Sequence, residues 1–120
     1  MTKEVLQERT KRLAIEIVKL YELMPKSLPN RIFFGQLIRS GSSVGANYRA
    51  ACRAKSSADF INKLKIVEEE SDESIYFLEL LMTSNEPIFH PQIKMLIKEG
   101  EELLAIFVSS IKTSKQNLKS

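Results

Sequence analysis

A chain of 120 residues, 43% hydrophobic and 28% charged, is long enough to enclose one core without metal or disulfide staples. Its single cysteine, Cys52, excludes an internal disulfide, and with one histidine, His90, no His/Cys cluster has metal-ligand spacing. The net charge of +3 is unevenly spread: residues 1–55 hold 11 Lys/Arg against 4 Glu, a net +7, and residues 56–120 hold 7 against 11 Asp/Glu, a net −4.

Such a split suits a basic surface for an anionic partner, or pairing of the two halves within or between subunits. Residues 1–12, MTKEVLQERTKR, are followed by no apolar signal segment, and no apolar run reaches the roughly 18 residues of a membrane span. A soluble, cytoplasmic protein in a reducing compartment is the expectation, with no membrane partner and Cys52 in a structural role.

The first helix is expected over about 3–24. Leu6, Leu13, Ile17, Leu20 and Met24 make one seam, widened by Ala14, Val18 and Tyr21. Pro25 and Pro29 then bracket a short connector, because each lacks the amide proton a helix interior needs.

The second helix, about 30–55, carries the least ordinary stretch of the chain. Phe33, Leu37, Ser40, Val44, Tyr48 and Ala51 recur at the spacing of one helix face, which makes that face the core side. Arg31, Arg39, Arg49 and Arg53 fall within an arc of about 80° on the opposite side. Gly35, Ser42 and Ala46 are interleaved with them, and Gly41 and Gly45 lie nearby. Each helical glycine costs about 1 kcal/mol relative to alanine, so close approach of another backbone or of a phosphate chain is the expected compensation. A turn at Gly41–Gly45 between two shorter helices is the alternative, but the apolar period runs through the segment without a phase shift.

Ser56, Ser57 and Asp59 supply capping residues for a third helix over about 58–84. It holds two stripes. Phe60, Leu64, Val67, Ser71, Ile75, Leu78 and Met82 should face the core, while Ile66, Glu70, Glu73 and Phe77 form a second face that a monomer does not need. The acidic run 68–73 is not a metal site, since carboxylate-bridged bundles need Glu-x-x-His units from more than one helix and His90 lies between Pro87 and Pro91 in an expected loop. A solvated or ion-paired helix face is the plain reading of that run; Glu70 and Glu73 are the two assigned to an interface.

A fourth helix is expected over about 92–112, with Ile93, Leu96, Ile97, Gly100, Leu104, Phe107, Val108 and Ile111 on one side. The end, Lys112 to Ser120, is polar, and its last residues are expected to fray. Four amphipathic helices with short connectors imply an all-α fold, an antiparallel up-down-up-down four-helix bundle in a single domain over 1–120.

Catalytic signatures are missing. Residues 41–45, GSSVG, copy the letters of a nucleophile elbow with Ser43 at its centre, yet an elbow needs a strand before it and both flanks here are helical. A binding or assembly protein without cofactor is expected rather than an enzyme.

The runs QLIRSGSSVGANYRAA (Gln36 to Ala51) and ADFINKLKIVEEESDESIYFLELL (Ala58 to Leu81) resemble the bacterial four-helix-bundle proteins first noticed as products of intervening sequences in large-subunit ribosomal RNA genes. Gln36, Arg39, Ser40, Gly45, Asn47, Asp59, Phe60, Glu70, Glu73, Tyr76 and Leu78 carry the resemblance together. Where that family usually has a Glu after the Gly-Ala-Asn-Tyr run, this chain has Ala50, so the carboxylate is missing. The resemblance implies a homopentameric, barrel-like ring, and a relation to the accessory variability determinant of diversity-generating retroelements, which engages a reverse transcriptase and nucleic acid.

In such a ring, the Arg39 and Ser42 side of helix two would pack on Ile66, Glu70, Glu73 and Phe77 of the neighbouring subunit, with Arg39 pairing across to Glu70 or Glu73. Two functions follow as expectations. In one, Lys11, Arg12, Arg49, Arg53 and Lys55 form a basic surface for RNA or DNA backbone. In the other, the ring is a scaffold that holds a protein partner and touches no nucleic acid.

Overall fold

The computed structural model describes residues 1–119; Ser120, the last residue of the expected fraying tail, lies outside the described residues. Every regular element among them is helical: α1 Lys3–Leu23, α2 Leu28–Cys52, α3 Ser57–Thr83 and α4 His90–Lys119, with one 3-10 turn at Pro87–Phe89. The four helices pack into one body of 51 × 21 × 19 Å, a length set by α4, whose 30 residues span about 45 Å at 1.5 Å each.

The starts of α1, α2 and α3 are written locally. Thr2, Ser27 and Ser56 each turn a side-chain oxygen onto a backbone N–H three residues on, satisfying one of the orphan donors of a first turn. At α3 the third residue bonds back as well, to the N–H of the residue before the cap. Asp59 N–H donates to Ser56 Oγ at 3.1 Å, and Asp59 Oδ2 accepts the Lys55 backbone N–H at 3.1 Å. Pro29 falls in the first turn of α2, where its missing N–H costs nothing, so α2 begins before Asn30 rather than at it.

The expected seam of α1 is buried as read, with fully enclosed Thr10 added, but Val18 is 40% exposed. On α2 the enclosed ring is Phe34, not Phe33. Phe34 turns to Tyr21 of α1 at 5.1 Å between ring centroids, and half-buried Phe33 turns to Phe77 of α3 at 6.5 Å. On α3, Ile61 and Leu81 are buried where Phe60 and Met82 were expected, and those two are half-buried. On α4, Leu103 is fully enclosed in place of half-buried Leu104, and Val108 is exposed. Its buried stripe is narrow because α4 packs mainly on α3 and only slightly on α1. α4 runs past its expected end near Lys112 and continues to Lys119.

α2 runs unbroken through the glycine segment, which excludes a turn there. The glycines let α1 sit close. A Cβ on Gly41 would run into Ile17 Cδ1, and one on Gly45 would come within 3.1 Å of Thr10 Oγ1. Small hydroxyl residues do the same between α2 and α3, where buried Ser74 Oγ and Ser40 Oγ are 3.0 Å apart. Gly35 is different: nothing lies within 4 Å of where its Cβ would be.

Contacts of α1 with α2, and of α2 with α3 and the residues that follow it, run in inverse chain order. On α1 and α2, Thr10 meets Gly45 and Ile17 meets Gly41. Between α2 and α3, Asn30 meets Asn85 and Ser40 meets Ser74, and between α3 and α4, Ile75 meets Gly100.

Candidate nucleic-acid and subunit interfaces

The five cationic residues expected to share one surface are divided among three. Lys11 and Arg49 face each other across a groove of about 510 Å3 between α1 and α2, whose floor includes Ser42, Gly45 and Ala46. Arg12 lies on the other flank of α1, beside a groove of about 380 Å3 toward α4, and its Nη1 is 3.8 Å from Glu16 Oε1. Lys55 stands in the α2–α3 connector and lines a hollow of about 480 Å3 at the end of the bundle, with Lys3 of α1 and Ser114 of α4. Arg53 is the exposed C-cap of α2, its N–H directed back to the carbonyls of Ala50 and Ala51. The mixed placement has a simple cause. Lys11 and Arg12 are adjacent on α1, and a step of about 100° puts neighbours on different flanks.

Arg49 and Arg53 are exposed and make no ion pair among the described residues. Free guanidinium groups of this kind keep their full charge for a ligand, where a paired group would first have to break its contact.

The second predicted surface is partly assembled within one chain. Arg39 Nη1 lies 3.3 Å from Glu70 Oε2, and its Nη2 lies against Glu73 Oε2. Within the single chain Arg39 thus pairs with both carboxylates, because the α2–α3 register brings them beside the guanidinium. Ser42 Oγ, expected to face a partner, donates to the Ile38 carbonyl at 2.7 Å. Ile66 is 43% exposed, and Phe77 is half-buried between Phe33 and Tyr76. An apolar and acidic strip thus lies along α3 beside the small-residue face of α2.

Two sets of residues escaped the sequence reading. Arg9 Nε donates to Glu99 Oε2 at 2.9 Å, and its Nη2 reaches Glu99 Oε1 and, at 3.2 Å, Glu102 Oε2. The hydrogen bond to Glu99 holds this guanidinium above its ordinary pKa, and the fork ties α1 to α4 where their apolar contact is slight. Asn30, fully buried, exchanges amide hydrogen bonds with Asn85 at 2.7 and 2.8 Å, and its Nδ2 also donates to the Pro25 carbonyl. The partners in both sets stand far apart in sequence, and no periodicity joins them.

Tyr48 is buried against Phe107, and burial, with Cys52 beside it, pushes its hydroxyl well above the ordinary phenol value. Cys52 is a half-buried free thiol. His90 opens α4, not a loop, with Nε2 3.0 Å from the Asn85 carbonyl. No group of three or more His, Cys, Asp or Glu among the described residues could hold a metal, and no helix among them is long and apolar enough to cross a membrane.

The family model described as 23S rRNA-intervening sequence protein matches residues 3–109, all four helices to within α4. A solved structure from Bacteroides thetaiotaomicron, described as a protein of unknown function from the S23 ribosomal protein family, is 37% identical, with a TM-score of 0.82 over 93% of this chain and 99% of that one. No curated protein matches this chain.

Proposed function

The chain belongs to the 23S rRNA-intervening sequence protein family, and we propose that it acts without catalysis, as an oligomeric helical bundle that accompanies nucleic acid. The observation that carries this reading is the pair of exposed guanidinium groups on Arg49 and Arg53, which no carboxylate among the described residues claims. Lys11 across the groove from Arg49, and Lys55 beyond Arg53, extend the cationic surface. Backbone phosphates are the natural ligand for such groups, with affinity that falls steeply as salt rises.

The inverse order of helix contacts supports an antiparallel up-down-up-down path. The exposed small residues of α2 and the Ile66–Phe77 strip of α3 support a heterologous contact between subunits, closing a ring that would repeat the cationic surface around its circumference. Five subunits, a cytoplasmic location and the relation to the accessory variability determinant of retroelements belong to the same proposal and rest on the resemblance of α2 and α3.

The test is fluorescence anisotropy of labelled RNA and DNA, single-stranded and duplex, with the purified, sized assembly across a salt series. Micromolar binding that weakens about tenfold when Arg49 and Arg53 become alanine is expected. Absence of binding at low salt would favour the second reading, a scaffold for a protein partner. One feature favours that reading already: exposed Leu23 and Met95 rim the α1–α4 groove, an apolar edge of the kind protein partners cover.

A further inference from the structure

Charge in the folded chain is segregated by end of the bundle. Tyr48 meets Phe107 near one end, and the helix contacts, with the hollow that Glu68 and Glu69 share with Lys112 and Lys115, place residues 1–8, 49–69 and 107–119 at about that level or beyond it. These segments hold nine Lys/Arg against five Asp/Glu, a net +4, so the rest of the chain carries −1. One of the five acids, Asp59, is already engaged by Lys63 at 2.7 Å. Sequence order hides the clustering, because the tip gathers the start of α1, the α2–α3 connector and the far end of α4. The last of these counts only because α4 stays helical to Lys119, which holds Lys112 and Lys115 on the body of the bundle.

Two hollows lie at this tip. Lys3 and Lys55 share one with Ser56, Ser57 and Ser114, and Lys65, Lys112 and Lys115 converge on the other, bordered by Glu68 and Glu69. All five lysines are exposed and without an ion pair among the described residues.

We propose that this tip, not α1 with Lys11 and Arg12 on its two flanks, is the surface that meets a nucleic-acid phosphate backbone. The proposal rests on the nucleic-acid reading above and places its contact. The bundle is 21 × 19 Å in cross-section, and over about 20 Å a duplex presents about 12 phosphate charges. A rigid cationic end of that width meets enough charge to displace counterions at several points. No exposed aromatic ring stands there to stack on bases, since Tyr48 is buried and Phe60 half-buried, so recognition is of backbone and not of sequence.

The deciding experiment compares three double charge reversals in the full-length assembly, at the tip, on α4 and at Lys11 and Arg12 of α1, each checked by circular dichroism and light scattering. Lys55→Glu with Lys115→Glu alters the tip, and Lys94→Glu with Lys98→Glu alters α4 toward its opposite end. Binding of a labelled 20-base-pair DNA duplex and a 20-nucleotide RNA is measured from about 50 to 200 mM salt, with poly-aspartate as competitor. The tip variant should bind at least tenfold more weakly at low salt, with its log–log salt slope reduced by about 2, while the Lys94/Lys98 variant keeps most of the wild-type affinity. Wild-type binding that survives the tip reversal but fails in Lys11→Glu with Arg12→Glu overturns the tip assignment and leaves the nucleic-acid reading standing. No binding by the wild type overturns both. Poly-aspartate that competes as well as nucleic acid at equal charge overturns the assignment in favour of an acidic protein partner.

Discussion

Asn30 is the residue on which the proline-bracketed end of the bundle depends. Its side chain is fully enclosed, and it joins the first turn of α2 to Pro25 before it and to Ser84 and Asn85 after α3. An amide in that position is worth little as a gain over water, but its loss leaves the Asn85 amide and the Pro25 carbonyl without their partner. A buried group so stranded costs about 1–3 kcal/mol. Asn30→Ala should therefore lower stability by about that amount in urea unfolding, whereas Asn62→Ala, exposed on α3, should change it by less than about 0.5 kcal/mol. Equal effects would show that the amide pair contributes nothing beyond helix propensity. Sequence reading leaves Asn30 only as the start of the second helix, after the connector that Pro25 and Pro29 bracket. Only the partner 55 positions away shows otherwise.

At the scale of elements, the number, type and order of the helices were legible, and so were the capping residues of α3. Errors were of phase and of length. Phe33 for Phe34 and Leu104 for Leu103 are one-residue errors on helices whose buried face turns toward whichever neighbour packs more closely, which periodicity alone does not reveal. The length of α4 was misjudged because a polar tail was read as a stop. Polarity does not end a helix; Gly or Pro would, and neither occurs between Lys112 and Lys119. The α3 start tests the value of a local signal. Lys63 and the Lys55 backbone N–H hold the Asp59 carboxyl below its ordinary pKa, the Lys63 hydrogen bond first. A carboxyl whose folded pKa is lowered contributes stability above its ordinary value and loses it as the pH falls through the lower, folded one. Asp59→Asn should accordingly be less stable than the wild type at neutral pH, and the two should converge once acid has protonated the wild-type carboxyl. A gap in the urea midpoint that persists at about pH 2 would mean the side chain matters through its shape and not its charge.

For the whole molecule, the decisive question is what covers the outer face of α2. Gly41 and Gly45 are accounted for by the approach of α1, but Gly35 costs the helix about 1 kcal/mol relative to alanine and touches nothing in the single chain. The exposed line it forms with Ser42 and Ala46 runs into the Arg49 groove, on the same helix as Arg39 of the Arg39–Glu70–Glu73 cluster. A neighbouring helix packed there would return the cost, since small side chains let two backbones approach closely. The ionic cluster does not itself demand a neighbour, because Arg39 already has both carboxylates. The ring reading therefore stands on the small residues and on Ile66, and Ala46→Arg addresses it directly. The substitution suits an exposed helix position, so the fold should survive, while a bulky charge within the strip should convert the assembly to monomers by light scattering at micromolar concentration. Gly35→Ala gives the complementary reading: without a neighbour it should stabilise the chain by about 1 kcal/mol, and against a close neighbour it should loosen assembly instead. An oligomer that keeps its mass in Ala46→Arg, with Gly35→Ala simply more stable, would remove the outer face of α2 from the subunit contact.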